Sequence, residues 1–264
     1  MSEPTSPPSA PRTKHRGLIW AIAGGALVVV LIGAGAWWFF GRSTPDRVNI
    51  DAAASGVTTT TAAAGSSGGA SSSGKSTTVD GLDGTWTVDT SSGSFDFNSA
   101  TGTFAGFRIK ENLAGIGNTE AVGRTGKVSG SFTIDGTTVD KAEITVDLST
   151  ITTNESMRDR RVQEALDTSQ YPDATFRLSQ PIELGANAAS GATVKVTAEG
   201  ELTIHGVTRK VSVPLQARLV DDTAVVVGSV DVSFADYGVQ VPSSMKVVSV
   251  EDHGTIELQL LLKR

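Results

Sequence analysis

Cysteine is absent from the 264-residue chain, and histidine and tyrosine are scarce, with three and two copies. The lack of cysteine excludes disulfides, thiolate metal sites and thiol nucleophiles. Basic residues are outnumbered by acidic ones, which leaves a net charge of −6 at neutral pH. Because phosphate binding needs a basic face, we predict that nucleic acid is not a partner.

Sequence patterns of catalysis are missing as well. The chain has no G-x-S-x-G nucleophile elbow and no H-E-x-x-H metal spacing. His205 falls in a predicted turn and His253 beside a predicted strand start, where conformational roles are more common than catalytic ones. Residues 69–76 match the phosphate-loop pattern G-x-x-x-x-G-K-[ST], but Ser/Gly-rich sequence replaces the buried strand that such a loop requires. We therefore predict no enzymatic activity, no metal and no cofactor.

Charged residues are also missing from residues 17–40, which are predominantly apolar. A helix of this length spans roughly 36 Å, enough to cross a hydrocarbon core of about 30 Å. Residues 1–16 are rich in proline and serine and end in a basic cluster, so we predict a disordered cytoplasmic tail. The positive-inside rule then predicts a single-pass membrane protein with an extracytoplasmic C-terminal domain.

A cleaved signal peptide is the second interpretation of this apolar segment. Residues 34–36, Ala-Gly-Ala, satisfy the small-x-small rule for cleavage after Ala36. The apolar run continues past that site through Trp37 and three further aromatic residues, which favours an uncleaved anchor. Both interpretations export the domain, and neither defines its oligomeric state.

Residues 41–79 consist largely of alanine, serine, threonine and glycine. They show no evident apolar periodicity, so we predict a flexible, disordered linker. The folded domain is expected over residues 80–264.

Apolar and polar residues alternate from Trp86 onward with a period of two, as in Ala142, Ile144 and Val146. Such alternation is typical of strands with one buried face. Short connections favour a meander, and eight or more strands favour a closed barrel without exposed edges. We predict an all-β fold, an antiparallel up-and-down barrel.

One segment breaks the period of two. Residues 152–155 have the Thr-x-x-Glu form of a capping box. A short helix is therefore predicted over residues 156–167, with Met157, Val162 and Leu166 facing inward.

The domain carries a series of short motifs in a characteristic order. They are Trp86-Thr87-Val88-Asp89, Val128-Ser129-Gly130-Ser131-Phe132, Arg158-Asp159, Tyr171-Pro172-Asp173-Ala174-Thr175-Phe176 and the nine residues GELTIHGVT at 200–208. Their order and spacing resemble the YceI-like family of lipocalin-like barrels. Residues 121–125 and 234–238 are similar to an actinobacterial branch of that family. The resemblance implies that a polyisoprenoid or a related long-chain amphiphile binds inside the barrel.

The chain departs from this family at two positions near the barrel mouth. Many members carry a histidine before the strand that here holds Phe107, and often a second one just after it. Residues 101–103 and 110–111, Thr-Gly-Thr and Lys-Glu, occupy those places here.

The inward apolar residues either line a lipid cavity or fill a solid core, because small barrels do both. The expected cavity lining is Phe107, Ile109, Phe132, Ile144, Val146, Phe176, Leu202 and Phe234. Arg158 and Arg161 are candidates for contact with an anionic headgroup, since arginine suits phosphate. The leading prediction is a membrane-anchored, lipid-binding barrel of the cell envelope. The alternative is an envelope scaffold domain with a solid core and no ligand.

Overall fold

The computed structural model describes residues 44–64, 81–115, 117–240 and 247–264. The tail predicted over residues 1–16 and the membrane helix predicted over residues 17–40 lie outside the described residues. In the part of the chain that is described, no helix is both long and apolar enough to span a membrane.

The described residues contain two α-helices, thirteen strands and three short 3₁₀ turns. The helices are α1 Ile50–Ala64 and α2 Ser156–Ala165. The strands are β1 Gly84–Val88, β2 Phe104–Leu113, β3 Gly117–Thr125, β4 Val128–Asp135, β5 Thr138–Asp147, β6 Thr152–Thr153, β7 Asp173–Leu178, β8 Ile182–Glu183, β9 Val194–Ile204, β10 Val207–Val220, β11 Thr223–Ser233, β12 Val247–Val250 and β13 His253–Lys263.

Eight of these strands close into an antiparallel barrel in the order β1-β4-β5-β7-β9-β10-β11-β13. The ring closes where Thr87 of β1 pairs with Lys263 of β13. The predicted all-β lipocalin-like barrel is confirmed. The connectivity is not a pure meander, because β1 pairs with β4 and not with β2. Strand β2, which forms a hairpin with β3, pairs instead with residues 255–259 of β13.

The hairpin between β9 and β10 shows how local sequence sets the strand register. Ile204 pairs with Val207, and the two residues between them, His205 and Gly206, have φ angles of 51° and 71°. A two-residue turn of this kind needs positive φ at both positions, which glycine adopts without strain. The turn predicted at His205-Gly206 is confirmed.

Helix α2 lies where the sequence predicted a helix, but its N-terminus is built differently. The side chain of Glu155, the N-cap residue, makes no capping hydrogen bond, so the predicted capping box is wrong. Asp159 Oδ1 instead accepts hydrogen bonds from the Thr153 amide and hydroxyl, each at 2.7 Å. Met157, predicted to face inward, is 72% exposed because it lies on the solvent side of the first turn.

Residues 44–57, here called the strap, correct the prediction of a flexible linker. Helix α1 begins within it and packs Ile50, Ala53 and Val57 against the outer face of β11 and β13. The predicted linker is therefore wrong over residues 44–64, while residues 65–79 lie outside the described part of the chain.

The sequence held two signals for this helix that its composition concealed. Ile50, Ala53, Ala54 and Val57 follow helical spacing, and all four are buried. Asn49 is a cap, because its Oδ1 accepts hydrogen bonds from the amides of residues 51 and 52. Alanine makes a thin apolar stripe, and the surrounding serine, threonine and glycine masked it.

Beneath the strap, the outer face of the barrel holds a buried ionic cluster of Arg108, Arg124 and Glu257. Arg108 Nε lies 2.8 Å from Glu257 Oε2, and Arg124 Nη2 lies 2.8 Å from Glu257 Oε1. All three side chains are at most 3% exposed. Burial alone would lower the pKa of Arg108, but hydrogen bonds and charge attraction from Glu257 and Glu120 raise it.

The backbone of the strap completes the hydrogen bonding of this cluster. Arg108 Nη2 donates to the carbonyl oxygens of Pro45 and Asp46, both at 2.6 Å. Arg124 Nη2 donates to the same Asp46 carbonyl at 2.5 Å. Because buried charge is costly unless it is fully hydrogen-bonded, the strap is an integral part of the domain.

The packing of the strap predicts the effect of a buried charge in helix α1. Ala53 is 2% exposed, so Ala53→Asp places an unpaired carboxylate against Val225 and Leu261. We expect a loss of about 2–4 kcal/mol in the free energy of unfolding. Urea denaturation of the full chain, followed by the loss of β-sheet circular dichroism, measures it. Ala52→Asp, on the exposed side of the same helix, is the control. Equal stability of the two variants would contradict the packing of α1 and support the interpretation of this segment as a flexible linker.

The buried cluster predicts a second stability difference. Glu257→Gln removes the charge that compensates two buried arginines, and we expect a loss of roughly 3–5 kcal/mol. Glu143→Gln is the matched control, because Glu143 makes the same kind of pair with Arg177 at 2.8 Å on an exposed surface. That control is expected to cost at most about 1 kcal/mol. Equal losses in the two variants, measured by the same denaturation, would show that burial does not determine how much each ion pair contributes to the free energy of unfolding.

Candidate functional site

The barrel contains an apolar cavity of about 210 Å³. Its wall is formed by β2, β5, β7, β9, β11 and β13, and by helix α2 on one side. A single water needs about 15 Å³ of such space, so the cavity is large enough for many atoms. Its lining is almost wholly hydrocarbon, and cavities of that kind remain dry and accept apolar ligands.

The structure brings seven of the eight predicted lining residues together around this cavity. They are Phe107, Ile109, Ile144, Val146, Phe176, Leu202 and Phe234. Phe132 lies elsewhere, since it pairs across β1–β4 with Trp86. Both side chains border a separate void of about 80 Å³, so Phe132 is not part of the main cavity wall. Strand parity placed Phe132 inside correctly but did not give its height along the barrel.

Several lining residues escaped prediction because they lie outside the barrel strands. Leu148 begins the 3₁₀ turn Leu148–Thr150 after β5, Ile151 follows that turn, and Ala165 lies in the last turn of α2. Tyr237 belongs to the 3₁₀ turn Ala235–Tyr237 after β11. The helical spacing of Val162 and Leu166 was the one sequence signal that pointed to this side of the cavity, and both residues line it.

Two glycines set the positions of the aromatic rings in the cavity wall. A Cβ atom on Gly200 would overlap the ring of Phe176, and one on Gly123 would overlap the ring of Phe107. Each ring therefore lies over the backbone of the neighbouring strand. Glycine is required at both places because it lets an aromatic ring approach the backbone closely.

Glu257 and the two histidines in the described part of the chain have protein partners. Glu257, which contributes to the wall, is bound by Arg108 and Arg124. His205 Nδ1 lies 3.1 Å from the Tyr237 carbonyl oxygen, and His253 Nδ1 lies 2.9 Å from Asp252 Oδ1. Across the described ranges, no three potential metal ligands lie together.

The two arginines expected to contact a headgroup have different surroundings. The guanidinium of Arg158 forms an ion pair with Glu111 and also donates to Asn154 Oδ1 at 2.6 Å. Arg161 is exposed on the same helix. Arg158 therefore links α2 to β2, which holds the helix over the cavity.

Comparison with known proteins identifies the family to which this chain belongs. The profile described as the YceI-like domain matches residues 49–262. The chain belongs to the YceI-like family. The match begins at Asn49, the cap of α1.

Relatives of this YceI-like chain occur in bacteria. A UPF0312 protein of Pseudomonas aeruginosa is 31% identical over 159 residues, covering 54% of this chain and 76% of that protein. The Escherichia coli protein YceI is 31% identical over 121 residues, covering 44% and 56%. A solved polyisoprenoid binding domain from Saccharophagus degradans, implicated in plant cell wall breakdown, shares the fold with a TM-score of 0.50. It is 16% identical, and the match covers 67% of this chain and 97% of that one.

At the two places where the family resemblance implied histidines, this YceI-like barrel uses structural residues. The Thr103 hydroxyl donates to the Asp89 carbonyl at 2.7 Å and accepts from the Leu261 amide at 2.9 Å. Glu111 is buried and paired with Arg158. Both residues join neighbouring segments of the domain.

The contrast between the two arginines of α2 gives a prediction. Arg158→Ala leaves Glu111 buried without its cation, so we expect a loss of about 1–3 kcal/mol in unfolding free energy. Arg161→Ala removes an exposed side chain and is expected to change stability by less than about 0.5 kcal/mol. Thermal unfolding of both variants distinguishes the roles, and an unchanged Arg158→Ala protein would contradict the structural role of this ion pair.

Proposed function

We propose that this protein binds a polyisoprenoid or a similar long-chain amphiphile inside the barrel, in the cell envelope. The observation that carries the proposal is the apolar cavity of about 210 Å³ lined by seven of the predicted residues. A solid-core scaffold domain would have filled this space, because protein interiors otherwise pack without voids of this size. The cavity therefore favours the binding interpretation over the scaffold.

The gain from binding comes from removing hydrocarbon from water. Each buried methylene contributes about 0.8 kcal/mol, so an apolar chain of ten carbons provides on the order of 8 kcal/mol before the costs of association. Ligand sites usually measure about 300–1,000 Å³, and this cavity is smaller. A long chain would fill it with one section and extend beyond the barrel wall.

The structural relative from Saccharophagus degradans is named for polyisoprenoid binding, and that name supports the same ligand class here. Because the two chains are only 16% identical, the support for this ligand class comes from the shared fold. The ligand class follows from the match between a long hydrocarbon and an almost wholly apolar wall.

We infer a binding or carrier role without chemistry on the ligand. The described cavity wall has no group of convergent, unpaired titratable side chains, which enzymatic acid–base catalysis requires. Glu257 is neutralised by two arginines and lies at the outer face of β13.

The proposal includes membrane attachment through residues 17–40, with the barrel outside the cytoplasm. It rests on the uncharged apolar segment and on the basic residues ahead of it. Protease accessibility in intact cells tests it. Digestion of the barrel from outside supports the proposed orientation, and full protection would overturn it.

Ligand binding is tested on the full chain, purified from its native membrane and transferred to lipid nanodiscs. Co-purifying lipids are extracted and identified by mass spectrometry, with empty nanodiscs as the reference. Enrichment of a long-chain isoprenoid at a fixed stoichiometry is the expected result. A protein that carries no excess lipid and also fails to take up added polyprenol would overturn the proposal.

Filling the cavity from helix α2 is expected to abolish binding. Ala165 lines the cavity, and Ala165→Trp directs an indole into that space. We expect retained isoprenoid to fall roughly tenfold or more, because the ligand loses the volume that it occupies. Glu164→Trp is the matched control, since the neighbouring residue is exposed. Equal retention by both variants, with unchanged unfolding temperatures, would place the ligand elsewhere.

A further inference from the structure

The interior of the barrel holds two apolar spaces, which share none of the described wall residues. The main cavity measures about 210 Å³ and the second void about 80 Å³. On β13, Leu260 lines the main cavity, and Leu262, the next residue on the same face, lines the second void. The two spaces therefore follow one another along the barrel, and a layer of side chains separates them.

Small residues mark the level of this layer. On β9, Leu202 lines the main cavity and Val196 lines the second void, while Gly200 between them lines neither. Gly228 on β11 and Ala142 on β5 have the same intermediate position on their strands. These three positions leave room, which larger side chains from neighbouring strands fill.

Three large side chains, here called the septum, fill that room. They are Phe132, Phe176 and Leu215. A Cβ atom on Gly200 would overlap the ring of Phe176, and one on Gly228 would overlap the side chain of Leu215. Phe132 pairs across β4–β5 with the small alanine of β5. Phe176 lines the main cavity while Phe132 and Leu215 line the second void, so the septum has one face toward each space.

The septum is packed into the core on both sides. Its three members contact the buried cluster that contains Trp86 and Leu260, and also the cluster that contains Ala198 and Val213. Interiors packed in this way leave few voids larger than a water molecule, so the septum leaves no passage for a hydrocarbon chain. All three side chains are hydrocarbon. Truncating one of them opens the partition without leaving a buried polar group unpaired.

We infer that the septum sets how deeply the apolar chain of the ligand enters the barrel. The inference rests on the proposed function and deepens it. The bound chain is divided into a terminal section, which fills the main cavity as far as the septum, and a remainder that extends outside. The septum residues are therefore specificity-determining: they select the terminal section that fits the main cavity and not the total length of the lipid.

A photoreactive probe measures the depth of the chain end on the full chain in nanodiscs. The probe is geranylgeraniol with a diazirine at the apolar end of its chain, since the almost wholly apolar wall accepts that end. Adducts formed on irradiation are located by tryptic digestion and mass spectrometry. Only adducts that excess unlabelled geranylgeraniol prevents are counted as binding.

Trypsin separates the walls of the two spaces into different peptides. It cleaves after Arg161, Arg177 and Lys195 and so releases residues 162–177 and 178–195. The first peptide contains six described wall residues of the main cavity and none of the second void. The second peptide contains four wall residues of the second void and none of the main cavity. The ratio of adducts on 178–195 to adducts on 162–177 therefore reports how deep the chain end lies.

Opening the septum is expected to raise this ratio. In the unmodified protein the ratio is expected to be below about one tenth, because the close-packed septum stops the chain. Phe132→Ala leaves a cavity that joins the two spaces, and the ratio is expected to rise roughly tenfold. Leu215→Ala opens the septum from another strand and is expected to act in the same direction. It carries the test if the unfolding temperature shows that Phe132→Ala does not fold.

Ile134→Ala is the matched control. Ile134 lies two residues beyond Phe132 on β4 and lines the second void without belonging to the septum. Its truncation enlarges the void and leaves the septum in place, so the ratio is expected to keep the value of the unmodified protein. An equal rise in Ile134→Ala would overturn the inference, because the loss of any neighbouring core side chain would then admit the chain.

The remaining outcomes separate the inference from the proposed function. If the probe labels residues 162–177 and neither opening variant changes the ratio, the lipid binds and the inference fails alone. The inference also fails alone if the unmodified protein is already labelled strongly on residues 178–195, because the septum then does not stop the chain. If no competed adduct forms on the barrel of the unmodified protein, the proposed function fails and the inference fails with it.

Discussion

The buried ion cluster of Arg108, Glu257 and Arg124 is the constraint on which the rest of the domain depends. Their strands β2, β13 and β3 point these charged side chains away from the cavity, onto a face that would ordinarily meet water. The strap covers that face and supplies the Pro45 and Asp46 carbonyls as hydrogen-bond acceptors. The ionic cluster depends on the strap, because buried arginine needs hydrogen-bond acceptors and the strap backbone supplies them.

The same arrangement frees the interior of the barrel for an apolar site. Charge is confined to the outer face, so the inward positions of β13, such as Ile256 and Leu258, meet only hydrocarbon. Strand β2 of the β2–β3 hairpin pairs with residues 255–259 of β13. Helix α2 lines one side of the cavity. The rings of Phe107 and Phe176 pack against the backbone at Gly123 and Gly200, at the wall of the cavity. The cavity follows from this division of polar and apolar faces.

Sequence reasoning succeeded where the signal was local. Period-two alternation identified the inward set, the His205-Gly206 pair identified a turn, and the loss of period identified helix α2. It failed where the signal was thin or depended on distant partners. The stripe that runs from Ile50 to Val57 is short and largely alanine, so its burial against β11 and β13 could not be read from composition. Phe132 had the correct parity, but parity gives the face of a strand and not the level within a barrel.

The sequence by itself determined the class of fold, the family and the apolar character of the interior. Each of these is encoded in neighbouring residues, through side-chain period and turn chemistry. Tertiary structure alone decided that the interior is partly empty, that the strap belongs to the domain and that a septum divides the interior into two spaces. These properties depend on which strands meet across the barrel. A cavity, a buried ion pair and a septum are relations between residues far apart in the chain, and no local pattern records them.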